Sequence, residues 1–248
     1  MLQLLKNFEV EMRLDKYLVE RGYFESRNRA LDAIKRGKVF VNGVPAKASM
    51  KCDETTNIDI DQEKFYVSRA AKKLELFLEE YSMNLEGRRA VDVGSSTGGF
   101  VQILLENSVA SVACVDVGSN QLHHSLRGHE KVAIFEETDI RDFMSDEPFD
   151  LLTCDVSFIS ILQIIDAIDR VASCDMILLF KPQFEVGRAV KRDSRGVVVN
   201  QEAIAEAKER FEVKTCELGW QECYSTTSKL SGKSGNIEYI YHFRKSCR

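Results

Sequence analysis

The residues of this chain able to do chemistry follow short apolar runs. Ala90 to Val93 feeds into Asp92-Val93-Gly94-Ser95-Ser96-Thr97-Gly98-Gly99-Phe100, where glycines let a backbone turn sharply and approach a ligand with no Cβ in the way. This is not a Walker phosphate loop, because no Gly-Lys-Ser/Thr follows at the right place, and it is not Gly-x-Gly-x-x-Gly. Asp116 ends the next apolar run, 24 residues beyond Asp92, where a carboxylate can accept both hydroxyls of a ribose. Asp139 follows a third run and is placed to meet an adenine edge. A nucleoside site without a pyrophosphate cradle points to S-adenosyl-L-methionine rather than NAD. Each feature alone also fits a helix cap; the ordered set carries the reading.

Two further strand ends carry reactive types, Cys154-Asp155-Val156-Ser157-Phe158 and Phe180-Lys181-Pro182-Gln183-Phe184-Glu185. The first has neither the Asp/Asn-Pro-Pro-Tyr/Phe of amino-group methyltransferases nor the Pro-Cys nucleophile of cytosine-C5 enzymes. By strand alternation Cys154 points away from the face of Asp155 and reads as core. A lysine closing a buried strand is costly unless paired, and Asp155 on the neighbouring strand is the expected partner. Such a lysine can take the proton of an attacking alcohol. Asp155 would orient it but also favour its charged form, so a second lysine nearby is needed as a counterweight.

The elements that position these groups alternate. Strands are expected at Ala90–Val93, Val112–Val117, Val132–Phe135, Phe149–Asp155 and Met176–Phe180, with helical faces at Phe100–Leu105 and Ile161–Val171. That order implies a parallel, doubly wound α/β sheet with its ligands at the strands' carboxyl ends. The segment Ser231-Gly232-Lys233-Ser234-Gly235 imitates a Walker fragment, but Thr227 replaces the upstream glycine and a strand follows instead of a helix.

The N-terminal part differs in charge. Between Arg13 and Lys51 ten cations face four acids, a local charge of +6, although the 248-residue chain carries −5 and its remainder therefore −11. A basic module joined to an acidic one suits a polyanion grip beside a piece with another task. Leu14, Tyr17 and Leu18 make one helical stripe ended by Gly22. Ser26 caps a second helix with Ala30, Leu31 and Ile34 inward, and Gly37 stops it. Arg27, Arg29, Lys35 and Arg36 cannot all be buried and form a solvated ridge. Val39-Phe40-Val41, Asn42-Gly43 and Val44 read as a hairpin.

No apolar run exceeds the five residues Met176 to Phe180, far below the roughly 20 that span a bilayer. No charged-then-apolar leader is visible, so a cytoplasmic location is expected. Seven scattered cysteines without Cys-x-x-Cys argue for core thiols rather than a disulfide framework or a metal site.

The run Arg13-Leu14-Asp15-Lys16-Tyr17-Leu18, Ser26-Arg27 and Lys38-Val39-Phe40-Val41-Asn42-Gly43 resembles the S-four RNA-binding domain. The resemblance implies RNA contacts from Arg13, Lys16, Arg27, Arg29, Lys35, Arg36 and Lys38. It begins near Met12, which is a candidate start. From there the whole chain resembles the TlyA family, often labelled hemolysin A, an RNA-binding domain fused to an FtsJ-like ribosomal RNA 2′-O-methyltransferase. The matching motifs are Tyr66-Val67-Ser68-Arg69, Asp92 to Phe100, Cys154 to Ser160, Lys181 to Arg188 and Gly235-Asn236-Ile237-Glu238.

The resemblance implies a Rossmann-like methyltransferase sheet at 68–248, a linker at 61–67 and a small α+β RNA-binding domain at 12–60. It implies a Lys-Asp-Lys-Glu tetrad on Lys73, Asp155, Lys181 and Glu238, with Lys181 as base. It further implies S-adenosyl-L-methionine bound by Asp92, Gly94, Ser95, Ser96, Thr97, Gly98, Gly99, Asp116, Val117, Asp139, Ile140 and Asp155. The substrate implied is a ribose 2′-hydroxyl of ribosomal RNA, a cytidine, free or in a ribosomal subunit, with Arg69 and Arg188 as further RNA contacts. Lys191, Arg192 and Arg195 lie on the same loop as Arg188.

Two departures bear on this. Ser68-Arg69-Ala70-Ala71-Lys72-Lys73-Leu74 has alanines where the family has glycines, so Lys72 competes with Lys73 for the role, and Ser228-Lys229 replaces a Ser-Pro. Two other readings are a membrane-active hemolysin, for which no long apolar or strongly amphipathic segment is seen, and an RNA-binding protein with a vestigial methyltransferase fold. The intact tetrad residues argue against the latter.

Overall fold

Leu14, Tyr17 and Leu18 form the buried face of α1 (Leu14–Glu20), which follows β1 (Met12–Arg13), in a computed structural model describing residues 11–61 and 64–245. The candidate start at Met12 turns on residues 1–10, which lie outside the described residues, as does Cys247. α2 (Arg27–Lys35) begins at Ser26, whose hydroxyl accepts the Arg29 N–H at 3.4 Å. Ala30 and Ile34 are buried, while Leu31 is only half-buried. β2 (Val39–Val41) and β3 (Val44–Pro45) flank Asn42 and Gly43, whose φ values of 51° and 79° make the type I′ turn that an Asn-Gly pair favours. β4 (Lys51–Cys52) pairs with β1, and β5 (Ile58–Ile60) with β2, both antiparallel.

Not every cation of this unit is free for a ligand. Asp15 is fully buried, and Arg13 and Arg27 reach its carboxylate at 3.0 and 2.6 Å. Burial pushes its pKa up, but hydrogen bonds from the two guanidiniums outweigh that and hold it below the ordinary range. Lys16, Arg29, Lys35 and Arg36 are exposed, and Lys38 pairs with Asp61 at 2.7 Å.

The chain divides into two compact units between Phe65 and Tyr66. The second opens with α3 (Arg69–Glu80), β6 (Arg89–Val93), α4 (Gly99–Glu106), β7 (Ser111–Val115), α5 (His124–Arg127) and β8 (Val132–Phe135). It continues with β9 (Phe149–Cys154), α6 (Ile165–Val171), β10 (Ala172–Phe180), α7 (Pro182–Glu185), α8 (Gln201–Glu217), β11 (Gln221–Thr227) and β12 (Tyr239–Arg244). The sheet runs β11-β12-β10-β9-β6-β7-β8, parallel from β8 to β10, with β12 antiparallel to both its neighbours. Apolar side chains fill both faces, as a sheet covered on two sides requires.

Several boundaries differ from the sequence expectation, among them the end of β9, which stops at Cys154 and leaves Asp155 just beyond it. β7 stops at Val115, so Asp116 and Val117 lie in the loop beyond it. The expected helix Ile161–Val171 opens as a 3₁₀ turn at Ile161–Gln163, because the Ser160 hydroxyl caps Leu162 N–H, and becomes α-helical only at Ile165. β10 begins at Ala172, with a register shift before Asp175.

Candidate active site

After β8 the chain returns to lay β9 against the free side of β6. This reversal opens a crevice at the carboxyl ends of β6 and β9, where open α/β sheets hold their ligands. Gly94 closes β6 with φ 76°, and a Cβ there would stand 3.0 Å from Val156 and 3.1 Å from the Asp155 carbonyl oxygen. The loop therefore passes close beside the end of β9 only as glycine. Asp116 accepts the Ser96 N–H at 2.8 Å and the Gly118 N–H at 2.7 Å, which fixes the loop against the end of β7.

Two clefts meet at Asp155. The first, about 380 Å³, is lined by Gly94, Ser96, Asp116, Val117, Asp139, Ile140 and Asp155. Val117 is 71% exposed there, an apolar surface beside a carboxylate that suits a nucleoside. The Asp139 carboxylate is held below its usual range by hydrogen bonds from the Arg141 guanidinium and N–H. The second cleft, about 890 Å³, takes in Ser95, Thr97, Gly99, Asp92 and again Asp155, together with Lys73, Lys181 and Glu238. Gly98 lines neither; with φ 88° it is the N-cap of α4. Asp92 lies buried under the loop and accepts the Thr153 hydroxyl at 2.6 Å. Burial pushes its pKa up to about 7 against that hydrogen bond, with the charges of Asp155 and Asp116 adding to the rise.

The inward side of α3 carries Lys73, Leu74 and Phe77, so one turn of an apolar stripe holds a lysine. Its buried ammonium needs a partner, and Glu238 Oε2 provides one at 2.5 Å. The neighbouring Lys72 lies elsewhere, bound to Glu75 at 2.7 Å and to the Tyr66 hydroxyl at 3.1 Å. The helix can sit this close because residue 99 is glycine: a Cβ there would stand 2.8 Å from Ala71 N.

Lys181 is the first residue after β10. Its Nζ stands 2.5 Å from Asp155 Oδ1 and donates to Ser157 Oγ at 2.9 Å. Phe180 pairs with Tyr239, so Lys181 and Glu238 are the next positions outward on adjacent strands. Burial pushes the Asp155 carboxyl's pKa up, against the pull of Lys181 and Lys73 and helped by Glu238. Gln183 Nε2 approaches Glu238 Oε1 at 3.5 Å. Cys154 is wholly buried in the core, where desolvation pushes its thiol up, away from the reactive thiolate.

The loop before Glu238 is held without the proline. Ser228 N–H donates to Glu238 O at 2.8 Å, Arg69 donates to Ser231 O at 2.8 Å, and Asn236 Oδ1 accepts the Val198 N–H at 3.0 Å. Arg192 donates to the carbonyls of Gln183, Gly187, Arg188 and Val190 and so organises its own loop. Arg188 is exposed outside the cleft lining, whereas Arg69 and Arg195 line it. Ser157, Gln183 and Phe158 were not singled out in the sequence as site residues. Phe158 is 92% exposed at φ 67°, with its ring 5.3 Å from that of Phe184. A bulky side chain with positive φ and no cover is a sign of function.

The FtsJ-like methyltransferase model matches residues 66–245 and the S4 domain model residues 12–58. The chain is 43% identical, over 95% of its length and the whole of its relative, to the 23S rRNA (cytidine-2'-O)-methyltransferase TlyA of Campylobacter jejuni. This chain belongs to the TlyA family of FtsJ-like methyltransferases. The 16S/23S rRNA (cytidine-2'-O)-methyltransferase TlyA of Mycobacterium tuberculosis is 38% identical over 94% of this chain and 89% of that protein. The solved structure of a protein titled a hemolysin, from Streptococcus thermophilus, matches with TM-score 0.69 and 31% identity over 95% of this chain and 89% of that one. TlyA and hemolysin are thus two labels within one family.

Proposed function

We propose that this protein transfers a methyl group from S-adenosyl-L-methionine to the ribose 2′-hydroxyl of a cytidine in ribosomal RNA. One observation carries the reading: Lys73, Asp155, Lys181 and Glu238 line a single cleft that meets a nucleoside-sized cleft at Asp155. The residues of the smaller cleft fit the cofactor. The Asp116 carboxylate suits ribose hydroxyls, Val117 and Ile140 offer apolar surface to a base, and the glycine at 94 leaves room along the backbone. When bound, the cofactor supplies a methyl carbon made electrophilic by a sulfonium.

The chain's own residues handle the proton. Lys181 Nζ accepts it from the 2′-hydroxyl, and Asp155 Oδ1, 2.5 Å away, aims the amine. Lys73 and Glu238 cancel each other's charge and hold the ribose. Phe158 and Phe184 offer aromatic faces on which an unstacked base can rest, and the exposed cations of the N-terminal unit grip RNA phosphates.

The hemolysin label finds no helix to support it: among the described residues none is long and apolar enough to cross a membrane. Ribosomal RNA from cells with and without the gene should differ by loss of 2′-O-methylcytidine at one or a few positions. Identical 2′-O-methylation maps would refute the proposal.

A further inference from the structure

The Ser231–Gly235 segment, which imitates a Walker fragment without being one, has a place in the fold that the tetrad does not explain. It bounds a shallow concavity of about 500 Å³ whose charged lining is Arg69, Arg195 and Lys233, with no acid. The same three cations also line the tetrad cleft. The two spaces also share Ser234, and a Cβ at the neighbouring Gly232 would stand 2.6 Å from Glu238 Oε1. The loop backbone therefore runs directly against the Lys73–Glu238 pair. Arg69 is pinned there by its bond to Ser231 O at 2.8 Å, and Arg195 has only a loose approach to Asp193 at 3.4 Å. Lys233 makes no ion pair among the described residues.

We propose that this concavity seats a backbone phosphate of the RNA adjoining the ribose that is methylated. The inference rests on the function proposed above. A ribose whose 2′-hydroxyl enters the tetrad cleft must bring its own 3′-phosphate with it, carried on the neighbouring ring carbon. The tetrad offers that phosphate nothing, since its two ammoniums are matched by two carboxylates. Of the adjacent cations, Arg69 and Lys233 have no carboxylate partner among the described residues, and Arg195 has only its 3.4 Å contact with Asp193. A seated phosphate fixes the sugar in the orientation that aims its 2′-oxygen, which is the positioning contribution of binding to turnover. Phosphates of a free nucleotide share this chemistry, and the test separates the two sources.

The full-length protein carrying Lys233→Gln and Arg195→Gln is compared with wild type for binding to a ribosomal RNA fragment across a salt series. The slope of log affinity against log salt should shrink by about 0.7 for each phosphate no longer neutralised, and affinity at moderate salt should fall about tenfold. Affinity for S-adenosyl-L-methionine should not change, and Lys233→Arg with Arg195→Lys should restore the slope. An unchanged slope overturns the seat. ATP bound by wild type and released from the double variant assigns the concavity to free nucleotides and overturns it as well. The function is judged separately: a wild-type protein that transfers no methyl to RNA refutes the function, whatever the slope, while normal transfer with an unaltered slope refutes only the seat.

Discussion

Lys181→Met lowers the rate of methyl transfer by about 10³-fold or more, while affinity for S-adenosyl-L-methionine stays within about threefold of wild type. Methionine keeps the length and the apolar stem of the side chain, so β10 and α7 retain their packing. The Asp155 carboxyl, whose proton affinity burial has already raised, compensates for the missing ammonium by taking up a proton. Lys181→Arg separates a base from a mere counterion. Arginine keeps the charge beside Asp155 but does not give up its proton, so it should remain as inactive as methionine. Turnover restored by arginine, measured under single-turnover conditions, would reduce Lys181 to an ion-pair partner.

The second large effect comes from splitting the other buried pair. Lys73→Met and Glu238→Leu each leave one charge without its partner in a site less than a tenth exposed. Such single changes destabilise by about 3–5 kcal/mol, whereas replacing both members by apolar residues is often neutral. The double variant should therefore melt near the wild-type temperature and still transfer methyl at less than about one hundredth of the wild-type rate. Thermal unfolding beside single-turnover kinetics reads both quantities. A double variant that is stable and fully active would mean that the pair only holds α3 to the loop before β12.

The parallel sheet was legible because its central strands are buried on both faces and read as apolar runs ending in Gly94, Asp155 and Lys181. β11 was not, since an edge strand with its side chains mostly exposed, from Gln221 to Thr227, has no apolar alternation to notice. α8 did carry a signal, the buried Ile204, Ala207, Phe211 and Thr215 at helical spacing, among charges that obscure it. The site shows the same division. Asp155 and Lys181 announce themselves at adjacent strand ends. Lys73 and Glu238, 165 residues apart, came into view only through family resemblance, because a pair made between a helix and a loop leaves no local spacing.

Charge alone did not mark the site either. Arg13 and Arg27, RNA contacts by the family resemblance, hold a buried aspartate, and Arg192 serves its own loop carbonyls. Asp175 is a similar case at the far end of β10. Burial opposes ionisation there, but His242 and Arg244 hold its pKa down to about 2, a structural cluster well removed from the strand ends where ligands sit.

Everything turns on one chemical claim, that the oxygen of a ribose is what receives the methyl group. Purified protein given ribosomal RNA and methyl-labelled S-adenosyl-L-methionine, followed by digestion to nucleosides, tests it directly. The label should run with 2′-O-methylcytidine and disappear with Lys181→Met. Label on a base-methylated nucleoside, or none on RNA at all, would contradict it.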